Sequence, residues 1–177
     1  ITGEVFFDGA PYEGSIYVRA MLDAEHVDER LYGEHGNGTN AFSVDWIPEE
    51  PGKLYVGIRP QKDGPSLSVQ APLEQIRGPV MGDLRRGDAA GRGGVNYEES
   101  LRWAAISFIR REGVYEYRYQ ISVDNEPFDL TGMPSGPVGV LIEAQSHGGE
   151  RLEGEIETTF SPGENVLPEI PLGWVSR

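Results

Sequence analysis

Three histidines, His26, His35 and His147, are the first residues to ask for chemistry, and two of them sit in an acidic stretch. His26 lies in Glu25-His26-Val27-Asp28-Glu29 and His35 follows Glu34, so imidazole and carboxylate together suggest a transition-metal site. Their spacing fits no helical or finger pattern, and a solvated loop is the better reading. No Gly-x-Ser-x-Gly elbow accompanies His147, and Ser135 lies in a Pro-Ser-Gly turn where serine is ordinary, so a hydrolase is not expected. Gly91-Arg92-Gly93-Gly94 lacks the Lys-Ser/Thr that completes a phosphate loop. Carboxylate pairs such as Glu49-Glu50 and Glu98-Glu99 are common in an acidic chain and do not by themselves indicate glycosidase chemistry. The sequence therefore predicts no enzyme, no catalytic residue and no metal centre. Calcium is the one cofactor its oxygen ligands allow, at Asp124-Asn125-Glu126 or near Asp8, though no stretch has the ligand order of an EF-hand.

Other residues point to contacts rather than reactions. Asn37-Gly38-Thr39 makes Asn37 a glycosylation candidate in a glycine-rich stretch. Arg86-Gly87-Asp88 is the tripeptide of integrin ligands, and chance accounts for it in such a chain. Tyr115, Tyr117 and Tyr119 alternate on one strand face and, with Trp174, are sugar-stacking candidates; half-buried sheet residues are the plainer reading. Eight arginines between Arg77 and Arg118 face six acids, a local net of +2 that leaves −16 to the rest of a chain of net −14. That band, through Arg85, Arg86, Arg102, Arg110 and Arg111, could dock on the acidic face of another copy. Leu167, Ile170 and Leu172 in the closing run could pair with an exposed strand edge.

The elements that must carry these residues are strands. There are 24 glycines and 13 prolines among 177 residues, with no collagen period, which reads as many turns between short strands. Strands are expected at 1–7, at 15–21 with Ile16, Val18 and Ala20 on one face, and at 41–47 with Phe42, Val44 and Trp46. Others are expected at 53–59 through Leu54, Val56 and Ile58, at 67–71, 114–123, 128–130, 138–144 and 152–160, and in a last run over 165–172. Turn signals at Asp8-Gly9-Ala10-Pro11, Pro51-Gly52, Met133-Pro134-Ser135-Gly136 and Gly148-Gly149 separate them. The segment 97–111 fits both periods; a short helical turn near 97–102 followed by a strand is expected there.

The pattern also returns on itself. Ile1-x-Gly3-x-Val5 recurs at Ile76-Arg77-Gly78-Pro79-Val80, and each start is followed by an aromatic strand, a Pro/Gly turn and an apolar strand. This predicts tandem modules, 1–75 and 76–177, the second enlarged by an insertion over 82–100. The fold class expected is all-β, two tandem antiparallel β-sandwiches.

These motifs resemble the carboxypeptidase regulatory-like domain, a transthyretin (prealbumin)-like sandwich. The resemblance rests on the leading Ile1-x-Gly3-x-Val5 strand, on Gly9-Ala10-Pro11-Tyr12-Glu13-Gly14, and on Asn40-Ala41-Phe42, Glu50-Pro51-Gly52 and Leu54-Tyr55-Val56. In the second copy it rests on Phe128-Asp129-Leu130, Met133-Pro134-Ser135-Gly136 and Pro162-Gly163-Glu164-Asn165. It implies no catalysis, and a spacer, folding aid or binding platform in an extracellular or cell-surface protein.

Composition narrows the partners. A net charge of −14 disfavours nucleic acid, no apolar run is long enough to span a bilayer, and the absence of cysteine excludes disulfides and thiolate sites. The Ile start, without a basic leader, suggests a processed mature chain. The reading that follows is a self-associating subunit of a surface filament, stalk or sheath, partnered by copies of itself or neighbouring modules. The alternative is a carbohydrate-binding or accessory module of a larger secreted enzyme.

Overall fold

The computed structural model describes the chain except for residues 23–30, 33–37, 45–50, 62–63, 95–100, 124–127, 168–169 and 175–177. The described residues are strands joined by turns, with one 3-10 turn, Leu73–Gln75. The chain is all-β, and it divides into two compact units. Unit 1 is Ile1–Arg85 with Arg111–Tyr117; unit 2 is Arg86–Arg110 with Arg118–Arg177.

Unit 1 holds β1 (Thr2–Phe7), β2 (Ala10–Pro11), β3 (Ile16–Leu22), β4 (Leu31–Tyr32), β5 (Ala41–Ser43), β6 (Gly52–Ile58), β7 (Ser66–Pro72) and β8 (Val80–Leu84). Strand β1 is central in the first sheet. It pairs antiparallel with β5 through Gly3↔Phe42, antiparallel with β2 through Phe7↔Ala10, and parallel with β8 through Gly3↔Val80 to Phe7↔Leu84. The reversal into β2 is a two-residue Asp8-Gly9 turn with φ of 51° and 82°, the left-handed pair that matches strand twist. A second sheet runs β7-β6-β3-β4, all antiparallel. Its alternating residues meet in register, Ile16↔Ile58, Val18↔Val56↔Val69 and Ala20↔Leu54↔Ala71, and every one of them is buried. Together with Val5, Phe42, Val80 and Leu84 from the first sheet they form the core of unit 1. A Cβ built on Gly82 of β8 would lie 3.5 Å from Val69 of β7, so the sheets touch there.

Unit 2 repeats this plan. Its strands are β9 (Ala89–Gly93), β10 (Leu101–Glu112), β11 (Tyr115–Val123), β12 (Phe128–Met133), β13 (Gly136–Ser146), β14 (Arg151–Phe160), β15 (Gly163–Val166) and β16 (Gly173–Trp174); the tip between β10 and β11 is counted with unit 1. Strand β9 is central, antiparallel to β12 through Leu130↔Gly91 and parallel to β15 through Asn165↔Gly91. The second sheet runs β16-β14-β13-β10-β11. Ile106↔Ile142 and Phe108↔Val140↔Ile156 occupy the places of Ile16↔Ile58 and Val18↔Val56↔Val69.

Three expectations change on this geometry. Val80, expected to open the second module, pairs beside Gly3 as the last strand of unit 1, and the division falls after Arg85 rather than after residue 75. Within the segment expected as an insertion, 82–84 finish β8 and 89–93 form β9, the central strand of unit 2. Residues 101 and 102, expected in a helical turn, already lie in β10; 97–100 fall outside the described residues.

Candidate functional site

Among the described residues, those that suggested chemistry do not gather into one cluster. His147 is exposed in the turn between β13 and β14, closed by Gly149 N–H donating to the Ser146 carbonyl at 3.0 Å. Ser146 is buried, and its hydroxyl lies 3.1 Å from Glu150 Oε2 and accepts from the Glu150 N–H, not from histidine. Among the described residues, no group of three or more His, Asp or Glu could hold a metal ion. His26, His35, Asn37 and Asp124-Asn125-Glu126 lie outside the described residues.

The Arg86-Gly87-Asp88 tripeptide is not a protruding tip. Gly87 N–H donates to the Gly132 carbonyl at 2.9 Å, the Asp88 carbonyl accepts from Gly163 at 2.9 Å, and a Cβ on Gly87 would strike the Met133 carbonyl. Tyr119 leaves the set of stacking candidates because it is 5% exposed. Its ring packs edge-on against Phe108 at 5.9 Å, and its hydroxyl donates to the Thr131 carbonyl at 2.6 Å. Burial raises its pKa above the ordinary phenol value. Tyr115 and Tyr117 are half-buried, and Trp174 lies in β16.

The assembly candidates divide in the same way. Leu167 and Ile170 are buried inside unit 2, Leu167 over Gly91 and Gly93 of β9 and Ile170 against Gly154 of β14; Leu172 is half-buried. They therefore serve the core of their own unit and not an open edge. Arg85 pairs with Asp83, N–O 2.6 Å, and that hydrogen bond and charge raise its pKa. Arg111 lies 3.4 Å from Glu116, Arg110 is half-buried, and Arg86 and Arg102 are exposed. Arg92, which sequence reading counted in the band without assigning it a role, meets its cross-strand partner Asp129 at 2.7 Å.

What the two units do assemble, each in the same place, is a parallel pairing of the strand on which the chain enters with a later strand, β8 at the end of unit 1 and β15, ahead of β16, in unit 2. In unit 1 that ladder is β1 against β8, five residue pairs from Gly3↔Val80 to Phe7↔Leu84, extended by Asp8 N–H to the Leu84 carbonyl at 3.0 Å. In unit 2 it is β9 against β15, four pairs from Gly163↔Ala89 to Val166↔Arg92, extended by Leu167 N–H to the Arg92 carbonyl at 3.0 Å. Asn165 pins this second ladder. Its amide donates to the Ala90 carbonyl at 3.1 Å and to the Ser161 and Gly163 carbonyls at 2.8 Å, and its oxygen accepts from Ser161 N–H at 3.0 Å. Sequence reading missed both ladders, because parallel partners lie some 75 residues apart and carry no local signal; the return of Ile1-x-Gly3-x-Val5 at 76–80 was the one trace.

Pulling on Thr2 and Leu84 of unit 1 draws the paired strands β1 and β8 past each other. The hydrogen bonds of the ladder are then strained together, whereas a pair pulled from one end opens bond by bond.

No protein-family model matches the chain, and no curated protein matches it. Three solved structures from Bacteroides ovatus align along nearly all of it. A candidate adhesin is 8% identical over 94% of this chain and 89% of its own, with a TM-score of 0.26. A candidate cell adhesion protein is 8% identical over 99% and 96%, TM-score 0.28. A DUF3823 family protein is 12% identical over 90% and 98%, TM-score 0.27. At these scores neither fold nor activity passes from them to this chain. No helix among the described residues is long and apolar enough to cross a membrane.

Proposed function

We propose that this protein is a non-catalytic structural protein of the cell surface or extracellular space, made of two diverged copies of one β-sandwich module, and that it carries tension between what is attached at its two ends. The observation that carries this reading is the parallel ladder on the entry strand of each unit, β1 with the last strand of unit 1, β8, and β9 with β15. The repeated strand order and the transthyretin-like motifs of the sequence support descent from a carboxypeptidase regulatory-like module, a kind of domain used as a spacer outside the cell. Forced unfolding is governed by the unfolding barrier rather than by equilibrium stability, so strand geometry matters more than total free energy.

Single-molecule force spectroscopy tests it directly. Unit 1 in the full chain is pulled first through handles at Thr2 and Leu84, which shears the β1–β8 ladder, and then through Thr2 and Val80, which opens it from one end. The expected result is a rupture force several-fold higher in the first geometry. Equal forces in the two directions would remove tension bearing as the role.

A further inference from the structure

We infer that the Trp103 indole of unit 2, on the face of β10 and β13 away from the core, is a stacking platform for one uncharged hexopyranose ring. The outward direction of this side chain is built into the backbone. Regular alternation would put Leu101 and Trp103 on one face of β10, but the register shifts between them. Leu101 therefore lies opposite Ser146, which is buried, and Trp103 opposite Gln145 on the other face. A bulge of this kind interrupts the ladder and re-aims a side chain. Here it turns an indole outward, 42% exposed.

The ring is also held in one orientation. Its Nε1–H donates to Gln145 Oε1 at 3.2 Å, and Gln145 Nε2 donates in turn to the Gly149 carbonyl at 3.2 Å. Gly149 belongs to the β13–β14 turn, which its own N–H closes on the Ser146 carbonyl. Both ends of the Gln145 amide are thus engaged, and the indole is oriented before a ligand arrives, which lowers the cost of binding. The N–H is the one polar group of an indole, and it is used within the protein; what remains for a ligand is the π face.

Size and charge select the occupant. Among the described residues, the other large hydrophobic side chain exposed in unit 2 is Val166, on β15 of the other sheet. A lone aromatic amid polar residues is far smaller than the apolar centre of a protein–protein interface, and it matches the C–H face of one sugar ring. Ala105, the next residue of β10 on the same face, is small and leaves room beside the indole. Opposite Ala105 stands Glu143, 3.9 Å from Arg151, too far for a direct hydrogen bond. A sugar hydroxyl between them donates to the carboxylate and accepts from the guanidinium. Among the described residues, Arg102 and Arg151 balance Glu143 and Glu153 around the ring, so nothing local offsets the repulsion of an acidic sugar by a chain of net −14.

Saturation-transfer NMR titration of the full chain with methyl β-D-glucopyranoside tests the platform. The glucoside should bind with a dissociation constant on the order of 1 mM. Trp103→Ala, at an exposed side chain, should leave the melting temperature unchanged and weaken binding at least about tenfold. Trp103→Tyr, which keeps an aromatic face, should retain most of the affinity. The inference is overturned if the glucoside does not bind, if Trp103→Ala still binds it, or if Trp103→Tyr loses as much as Trp103→Ala. It is equally overturned if sedimentation shows the parent chain dimerising and Trp103→Ala monomeric, since a second copy would then be what covers the indole. None of these outcomes touches the shear result, which reads β1 and β8 of unit 1.

Discussion

Units 1 and 2 share a strand order and much of a register but fill their cores from opposite sides. In unit 1 the central strand contributes volume itself, with Val5 fully buried, and the facing sheet answers with aliphatic residues, Ile16, Val18, Leu54, Val56, Ile58 and Val69. Phe42 provides the large ring, laid over Gly3. In unit 2 the central strand is Ala-Ala-Gly-Arg-Gly and brings almost no volume. Phe108 supplies it from the facing sheet, edge-on to Tyr119 at 5.9 Å and to Phe160 at 5.8 Å, with Met133 and Leu167 pressed onto Gly91 and Gly93. The difference teaches that total volume and strand register constrain this fold while the strand supplying the volume is free to change.

That comparison breaks most visibly at Phe108 and its counterpart Val18, both fully buried and both paired across to a valine, Val140 and Val56. Phe108→Ala should cost about 3–5 kcal/mol, because the small strand β9 opposite cannot collapse into the space. Val18→Ala removes far less volume among residues that surround it closely, and should cost distinctly less. Denaturant unfolding gives the totals, and hydrogen exchange resolved by strand should place the loss of protection for Phe108→Ala in unit 2. Equal costs at the two sites would mean that the aromatic cluster is not the organising feature of unit 2.

A subtler contrast lies in two equivalent glycines. Gly3, second in β1, and Gly91, in the middle of β9, each lie between an antiparallel partner (Phe42, Leu130) and a parallel one (Val80, Asn165). A methyl group on Gly3 runs into the Phe42 ring and the Val80 carbonyl oxygen, part of the ladder backbone. On Gly91 it meets the end of the Met133 side chain, Cε at 2.6 Å, and Leu167 Cγ at 3.4 Å. Thioether chains rotate aside and backbone does not. Gly3→Ala is therefore expected to cost about 1–3 kcal/mol, in the range of overpacking, with Gly91→Ala below it. Thermal unfolding of the two variants side by side decides; a larger loss for Gly91→Ala would reverse the assignment of which unit is the tighter at its ladder.

The same contrast explains what could be read in the sequence. Ile16, Val18 and Ala20, and Leu54, Val56 and Ile58, alternate with polar residues, and the structure pairs them where alternation puts them. Asp8-Gly9 gave its turn because two adjacent residues needed positive φ. Strand β9 was illegible for a physical reason: Ala and Gly carry no periodic hydrophobic signal, and the volume they lack is supplied from β10, β12 and the chain after β15. Strand β10 was ambiguous because Ser107 and Ile109, facing away from Ile106 and Phe108, are buried too, so polarity does not alternate along it. The module boundary moved because parallel pairing of β1 with β8 is a long-range event that an Ile-x-Gly-x-Val echo records as repetition. Of the candidate residues, Tyr115 and Arg111 line one cleft together with Lys53 and Gln70, which carry no motif.

The smallest expected effect concerns the phenols that each unit hides. Tyr119 in unit 2 is raised by burial alone; Tyr12 in unit 1 is half-buried and raised first by burial and then by the charge of Tyr17. Each has a folded pKa above its unfolded value near 10. The neutral phenol is thus favoured in the native state, and its contribution is fully present below the unfolded pKa and lost as pH rises through the folded one. Tyr119→Phe should cost about 0.5–1.5 kcal/mol at neutral pH, the worth of the hydrogen bond to the Thr131 carbonyl. On the alkaline side the sign of the comparison turns, because the variant no longer has a buried phenol to ionise. Unfolding free energies measured at about pH 8 and about pH 11 should therefore fall less for Tyr119→Phe than for the parent chain, with the remaining fall belonging in part to Tyr12. A variant whose alkaline loss matched the parent's would mean that Tyr119 ionises in the native state as readily as in the unfolded chain, and that the aromatic cluster of unit 2 admits water.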